Sequence, residues 1–273
     1  MLLCNMSERF CMDLHGLIDW MAVASGFGIG AIVGMTGVGG GSLMTPLLLT
    51  VFKLNPAVAV GTDLWFAAIT KTAGSVSHNQ AGHVEWRITR RLLAGSIPAS
   101  VATIALMHFT GITKGWASAL TFSLGIALLL TAITVAFKQT WVTVGRWLER
   151  WINEDNQPGL TVLCGLILGV LVSLSSIGAG AVGATMIRLL YPRMTSHQIV
   201  GTDIAHAVPL TLVAGIGYAT LGHVDWSLLG ALLIGSIPGI WLGAQLTRKM
   251  PEHVVRTLLC LSLVVAAQKV LLH

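Results

Sequence analysis

Four ionisable residues stand in stretches that are otherwise apolar or small: Asp63 and Lys71 in one, Asp203 and His206 in another. An ionisable group in such a setting is costly to bury and marks a functional site by default. Lys71 follows Asp63 by about two helical turns and supplies the positive charge that an anion needs. A structural ion pair, or a side chain snorkelling to an interface, is the plainer alternative. His206 titrates near neutral pH in its ordinary state and suits proton coupling alongside Asp63 and Asp203; a buried, hydrogen-bonded histidine is the alternative. His78 and Asn79 continue the polar positions of the first stretch.

Two further patterns carry hydroxyls and backbone donors. Thr62 and Thr202 each precede an aspartate in the repeated string Val-Gly-Thr-Asp. They suit a hydroxyl donor to a solute or a cap on a helix start. Thr36, Gly39, Gly40 and Ser42, followed by Pro46, form a glycine-rich run whose counterpart holds Ser176, Gly178 and Gly180. Glycine there permits irregular backbone, which at membrane depth is tolerated only where it is buried or lines a cavity. A helix starting from it aims unpaired N–H groups at that space and makes an anion site without arginine. Close helix packing through small residues is the alternative.

Composition sets what elements hold these groups. The chain has 273 residues, 54% hydrophobic and 10% charged, against about 25% charged in a soluble domain. Its surface is therefore expected to face lipid. Ten apolar segments are expected at 17–35, 38–53, 57–81, 92–110, 116–137, 159–176, 178–191, 196–221, 226–247 and 254–271, an all-α polytopic membrane protein. The segments at 38–53 and 178–191 are short and glycine-rich, so they are broken or re-entrant. Loop charges place both termini outside. Eleven lysines and arginines, including Arg87, Arg90, Arg91 and Arg188, then fall in cytoplasmic loops, and four fall outside.

Three motif pairs share one and the same offset along the chain: Val60–Asp63 with Val200–Asp203, Gly82–Trp86 with Gly222–Trp226, and Gly95–Pro98 with Gly235–Pro238. A common offset means duplication. The expected organisation is an N-terminal tail (1–16), a first repeat (17–137), an amphipathic linker (138–158) and a second repeat (159–273). Five segments per repeat is an odd number, so the second copy is expected to be inverted, as in many secondary transporters. Gly30/Gly34, Gly165/Gly169 and Gly239/Gly243 have the spacing of helix-packing faces.

Other functions find no support in the residues. The sixteen basic residues form no stripe for nucleic acid. Cys4, Cys11, Cys164 and Cys260 have no metal spacing. His83, Glu85, His223 and Asp225 sit in turns with too few ligands for a closed metal set. The glycine run lacks the Lys-Ser/Thr of a phosphate loop, so no cofactor is expected, and no catalytic constellation points to an enzyme.

The glycine run with Pro46, Val60–Asp63, Gly82–Trp86 and their second copies resemble the TauE/SafE sulfite-exporter-like (TSUP) family, from about residue 20 to 271. The resemblance implies a bacterial inner-membrane transporter, twofold repeated, for sulfite, thiosulfate or organosulfonates, with export the expected direction. Ala179 and Ala181 stand where the family pattern has glycine, and Lys71 is a further departure. The partners are then a small anionic solute and the bilayer. A channel-like passive anion pore and a non-transporting membrane subunit are the competing readings.

Overall fold

The structure is a computed structural model and describes residues 20–35, 41–111, 114–148, 155–247 and 252–272. Among these residues it is all helix and turn. The helices are α1 (Trp20–Met35), α2 (Gly41–Thr50), α3 (Pro56–Gln80), α4 (Trp86–Thr110), α5 (Lys114–Ala136), α6 (Lys138–Leu148), α7 (Gln157–Ser175), α8 (Ala181–Leu190), α9 (Ser196–Thr220), α10 (Trp226–Thr247) and α11 (Glu252–Leu272). Five of them contain stretches long and apolar enough to cross a bilayer: Trp86–Thr110, Trp116–Ala136, Gln157–Ser175, Ser196–Thr220 and Trp226–Gly243. Helix is the form that satisfies every backbone group within one segment when lipid offers none. The outward faces carry large apolar side chains such as Phe109, Phe122, Ile234 and Trp241.

Local sequence explains the ends. Asn55 accepts the Ala57 N–H at 3.0 Å, and Pro56 takes the first helical position of α3, where its missing N–H costs nothing. Thr195 and Gln198 form a capping box at the start of α9. The duplication reappears in the element bounds. α2 and α8, α3 and α9, and the starts of α4 and α10 are separated by the same offset as the motif pairs.

The chain differs from the sequence expectation at α4. That helix begins at Trp86, not at the expected 92, so Arg87, Arg90 and Arg91 lie in its first turns and not in a loop. The cause is a cap from elsewhere in the chain. The Glu85 N–H is held by Thr202 Oγ1 at 3.0 Å, which allows the helix to start directly after the turn. α6 covers the first part of the segment expected as the linker, 138–158, and lies against α8. Linker residues 149–154 lie outside the described residues, and 155–156 form a turn before α7.

Helices of one half pack on those of the other. α4 packs on α7, α3 on α9 and α5 on α11. A Cβ on Gly239 would run into the Phe27 carbonyl, one on Gly243 into Ala31, one on Gly165 into Leu92 and one on Gly169 into Ser96. The glycine spacings are therefore close-packing faces, α10 on α1 and α7 on α4. The pairs Phe27–Gly239 and Ala31–Gly243 advance together, so α1 and α10 are parallel. The pairs Gly61–Tyr218, Trp65–Gly215 and Gly74–Ile204 advance in opposite senses, so α3 and α9 are antiparallel.

Candidate functional site

The α3–α9 pair carries the ionisable residues into the interior. Asp63, Lys71, Asp203 and His206 are all buried, and Lys71 is the one buried lysine or arginine among the described residues. The Lys71 ammonium donates to the Ala179 carbonyl at 2.6 Å. Ala179 belongs to the interrupted stretch between α7 and α8. There Ser176 adopts a left-handed φ of 57°, and Gly178 and Gly180 adopt φ values of 122° and 149°. A side chain at 178 or 180 would be strained, so glycine makes this break possible. The break exposes carbonyls at depth, and the Ala179 carbonyl meets the one buried cation.

The two carboxyls occupy equivalent places. Asp63 Oδ2 accepts a hydrogen bond from Thr45 Oγ1 of α2, and Ser176 lies beside the same carboxyl. Asp203 Oδ1 lies against Gly183 in the first turn of α8, where a Cβ would run into it. Each aspartate therefore sits on the short helix of its own half. At α8 this places a carboxyl near the positive end of the helix dipole. Asp63 Oδ1 and Asp203 Oδ1 are both buried without a hydrogen-bond partner, as are Ser176 Oγ and His206 Nδ1. His206 Nε2 meets Ser96 Oγ of α4 at 2.9 Å. Lys71 acts electrostatically on Asp63, Asp203 and His206 alike.

The antiparallel register places the carboxyls on opposite sides of Lys71. Asp203 lies level with about residue 76 of α3, so the two aspartates are about 20 Å apart along the axis, measured at the backbone. The base is not duplicated. The positions that correspond to Lys71 and His206 in the other repeat are Thr211 and Phe66.

Other sequence candidates lie elsewhere. Thr62 Oγ1 accepts the Asp225 N–H at 3.0 Å, and Thr202 Oγ1 accepts the Glu85 N–H at 3.0 Å. Both are caps, but each caps a helix of the opposite half and not its own. Neither is brought to Lys71: Thr62 precedes it by about 13 Å of helix, and Thr202 lies level with a point about 9 Å beyond it, with its oxygen on the Glu85 N–H. Gly61 and Gly201 complete this reciprocal clasp. A Cβ at either would press on the carbonyl of His223 or His83. Asn79 accepts from Trp86 Nε1 at 3.0 Å at the end of α3, and His83 stacks on His197 with centroids 5.3 Å apart. His78 and Asn79 therefore belong to the turn region and not to the central group. Arg188 donates to Ser196 at 3.1 Å, tying the end of α8 to the start of α9. Thr36, Gly39 and Gly40 lie outside the described residues, and the Ser42 side chain is likewise not described.

Sequence reasoning missed Thr45, Ser96 and Gly183. Ser96 carried a signal, the repeated Gly-Ser-Ile-Pro string. Thr45 and Gly183 carried none, because their part depends on which helix lies opposite.

Residues 22–270 match the family model described as "Sulfite exporter TauE/SafE". The chain is 36% identical over 253 residues to a probable membrane transporter protein of Bacillus subtilis, YjnA, covering 91% of this chain and 98% of that protein. A second from the same organism, YdhB, is 27% identical over 88% of this chain and 95% of its own length. A probable membrane transporter protein of Methanocaldococcus jannaschii, MJ0441, is 26% identical over 85% and 88% respectively. No solved structure matches the chain.

Proposed function

The chain belongs to the sulfite exporter TauE/SafE family, and from that premise we propose that it is a secondary carrier, in the export direction, for a small sulfur-containing anion. Sulfite, thiosulfate and organosulfonates are the candidate solutes. The observation that carries this reading is Lys71, a cation in the interior whose one neutral partner is a carbonyl of a broken segment. A buried ammonium in that setting is a ready counter-ion for a solute. Ser176, Gly178 and Gly180 flank it and supply the hydroxyl and the backbone donors.

Two features support carrier architecture. Equivalent helices α3 and α9 run antiparallel, which is what inverted halves at 17–137 and 159–273 require. A cavity of about 420 Å³ where α3 begins has Lys53 and Lys269 as its charged lining and no acid among the lining residues, a setting that favours an anion at that end, where an exported solute leaves. Asp63, Asp203 and His206 then serve proton coupling, and the protein works in a bacterial inner membrane.

Purified protein in liposomes is expected to exchange labelled sulfite, thiosulfate or a sulfonate, and Lys71→Gln to reduce that exchange at least tenfold while Lys71→Arg keeps part of it. Flux of a cation or a neutral solute in place of every anion tested would refute the proposal.

A further inference from the structure

We infer that Asp63 and Asp203 are two proton sites with access from opposite faces of the membrane, each blocking one short helix to the solute until it is protonated. The inference builds on the anion-carrier reading and adds where each proton enters and what it releases. One carboxyl oxygen of the equivalent aspartate in each half, Asp63 and Asp203, is buried and has no hydrogen-bond partner. A buried carboxyl oxygen left unpaired is the place a proton takes up.

The neighbours of each group define its surroundings. Asp63 faces Thr45 from α2, Ser176 from the α7–α8 break and Lys71 from its own helix. Asp203 faces Gly183 of α8 and Lys71 of α3. Lys71 is the one charged group acting on both. With both carboxyls ionised the group carries two negative charges against one positive, and a solute anion is repelled. One proton makes it neutral, and two leave a net positive charge.

Position decides which proton matters. The two aspartates lie about 20 Å apart along the helix pair, measured at the backbone, with Lys71 between them. A solute coming to Lys71 from either end meets one carboxyl before the other. At an effective dielectric constant of about 20, an ionised carboxylate lowers an anion's occupancy roughly 40-fold at about 7.5 Å, the rise from Lys71 to the level of Asp203, and roughly tenfold at about 12 Å, the rise from Asp63 to Lys71. Protonation removes that repulsion and converts an acceptor into an O–H donor that holds an anion. It also withdraws the resident charge from α8, whose first turn Asp203 occupies in this structure, and leaves that turn to the solute.

The test uses the unmodified protein. Dicyclohexylcarbodiimide reacts with protonated carboxyls in apolar surroundings, and peptide mass spectrometry separates Asp63 from Asp203. In uniformly oriented vesicles with pH set independently on the two sides, acidifying one compartment from pH 8 to pH 6 should raise Asp63 labelling several-fold and leave Asp203 unchanged. Acidifying the other compartment should do the reverse. Labelling of both from the same side, or of neither, overturns the inference. Anion flux measured in the same vesicles keeps the two readings apart. Sided labelling without flux of any anion removes the carrier reading alone, and flux with unsided labelling removes this one alone. As a second arm, Asp63→Asn should abolish the dependence of flux on one compartment's pH, and Asp203→Asn on the other's. An equal effect of both variants on both sides contradicts it.

Discussion

The reciprocal clasp yields a prediction that two sequence readings decide differently. Replacing Thr62 or Thr202 by valine keeps the side-chain shape and removes the oxygen that accepts the Asp225 or Glu85 N–H. Both hydrogen bonds measure 3.0 Å and both are partly buried, so the two substitutions should cost alike. A hydrogen bond within a membrane protein contributes about 0.6 kcal/mol on average and up to about 1.7, and an orphaned, partly buried N–H adds to that loss. A cost of about 1 kcal/mol per site follows. The sites lie about 22 Å apart along α3 and α9, well beyond coupling distance, so the double variant should cost about 2 kcal/mol. Equilibrium unfolding in mixed detergent micelles, followed by tryptophan fluorescence, measures this. Thr→Ser at each site should recover most of the loss, since serine keeps the oxygen. Strongly unequal single costs, or a double variant no worse than either single, would refute the reciprocal clasp. Unchanged stability with lost anion binding would instead restore the threonines as solute donors.

Gly183→Ala should cost about 1–3 kcal/mol through overpacking, because its Cβ runs into the Asp203 carboxyl. Gly28→Ala, in open space on an exposed face of α1, should be neutral or stabilising by up to about 1 kcal/mol; the same unfolding assay compares them, and equal costs would contradict the placement of Asp203. Partial burial pushes His223, in the turn between α9 and α10, below its ordinary value of 6.5. Its unfolded form therefore takes up a proton first, and stability should fall as pH drops through about 6.5. His223→Gln should flatten that part of the profile, and an unchanged slope between pH 7 and pH 5.5 would count against the burial of this ring.

Membrane class, duplication and most element bounds are legible from local signals. Hydropathy, caps such as Asn55-Pro56 and a shared motif offset are properties of the chain read along its length, and a helix in lipid obeys them because it has no other partner for its backbone. The start of α4 is not legible, for the converse reason: arginines in its first turns read as a loop, while the cap that permits the helix comes from Thr202, far away in sequence. Lys71, Asp63, Asp203 and His206 stand out because charge is rare in apolar sequence. Their arrangement does not, since types and spacings along one helix say nothing of the facing helix.

By itself, then, the sequence determined an all-helical membrane chain made of two copies, with four ionisable residues inside it. The tertiary structure alone decided that the aspartates lie on opposite sides of a single lysine, that each rests on the short helix of its own half, and that the Val-Gly-Thr threonines clasp the other half. Such relations depend on the antiparallel register of α3 and α9. That register is set by side-chain and glycine contacts between segments of different repeats, far apart along the chain, where local periodicity carries no information.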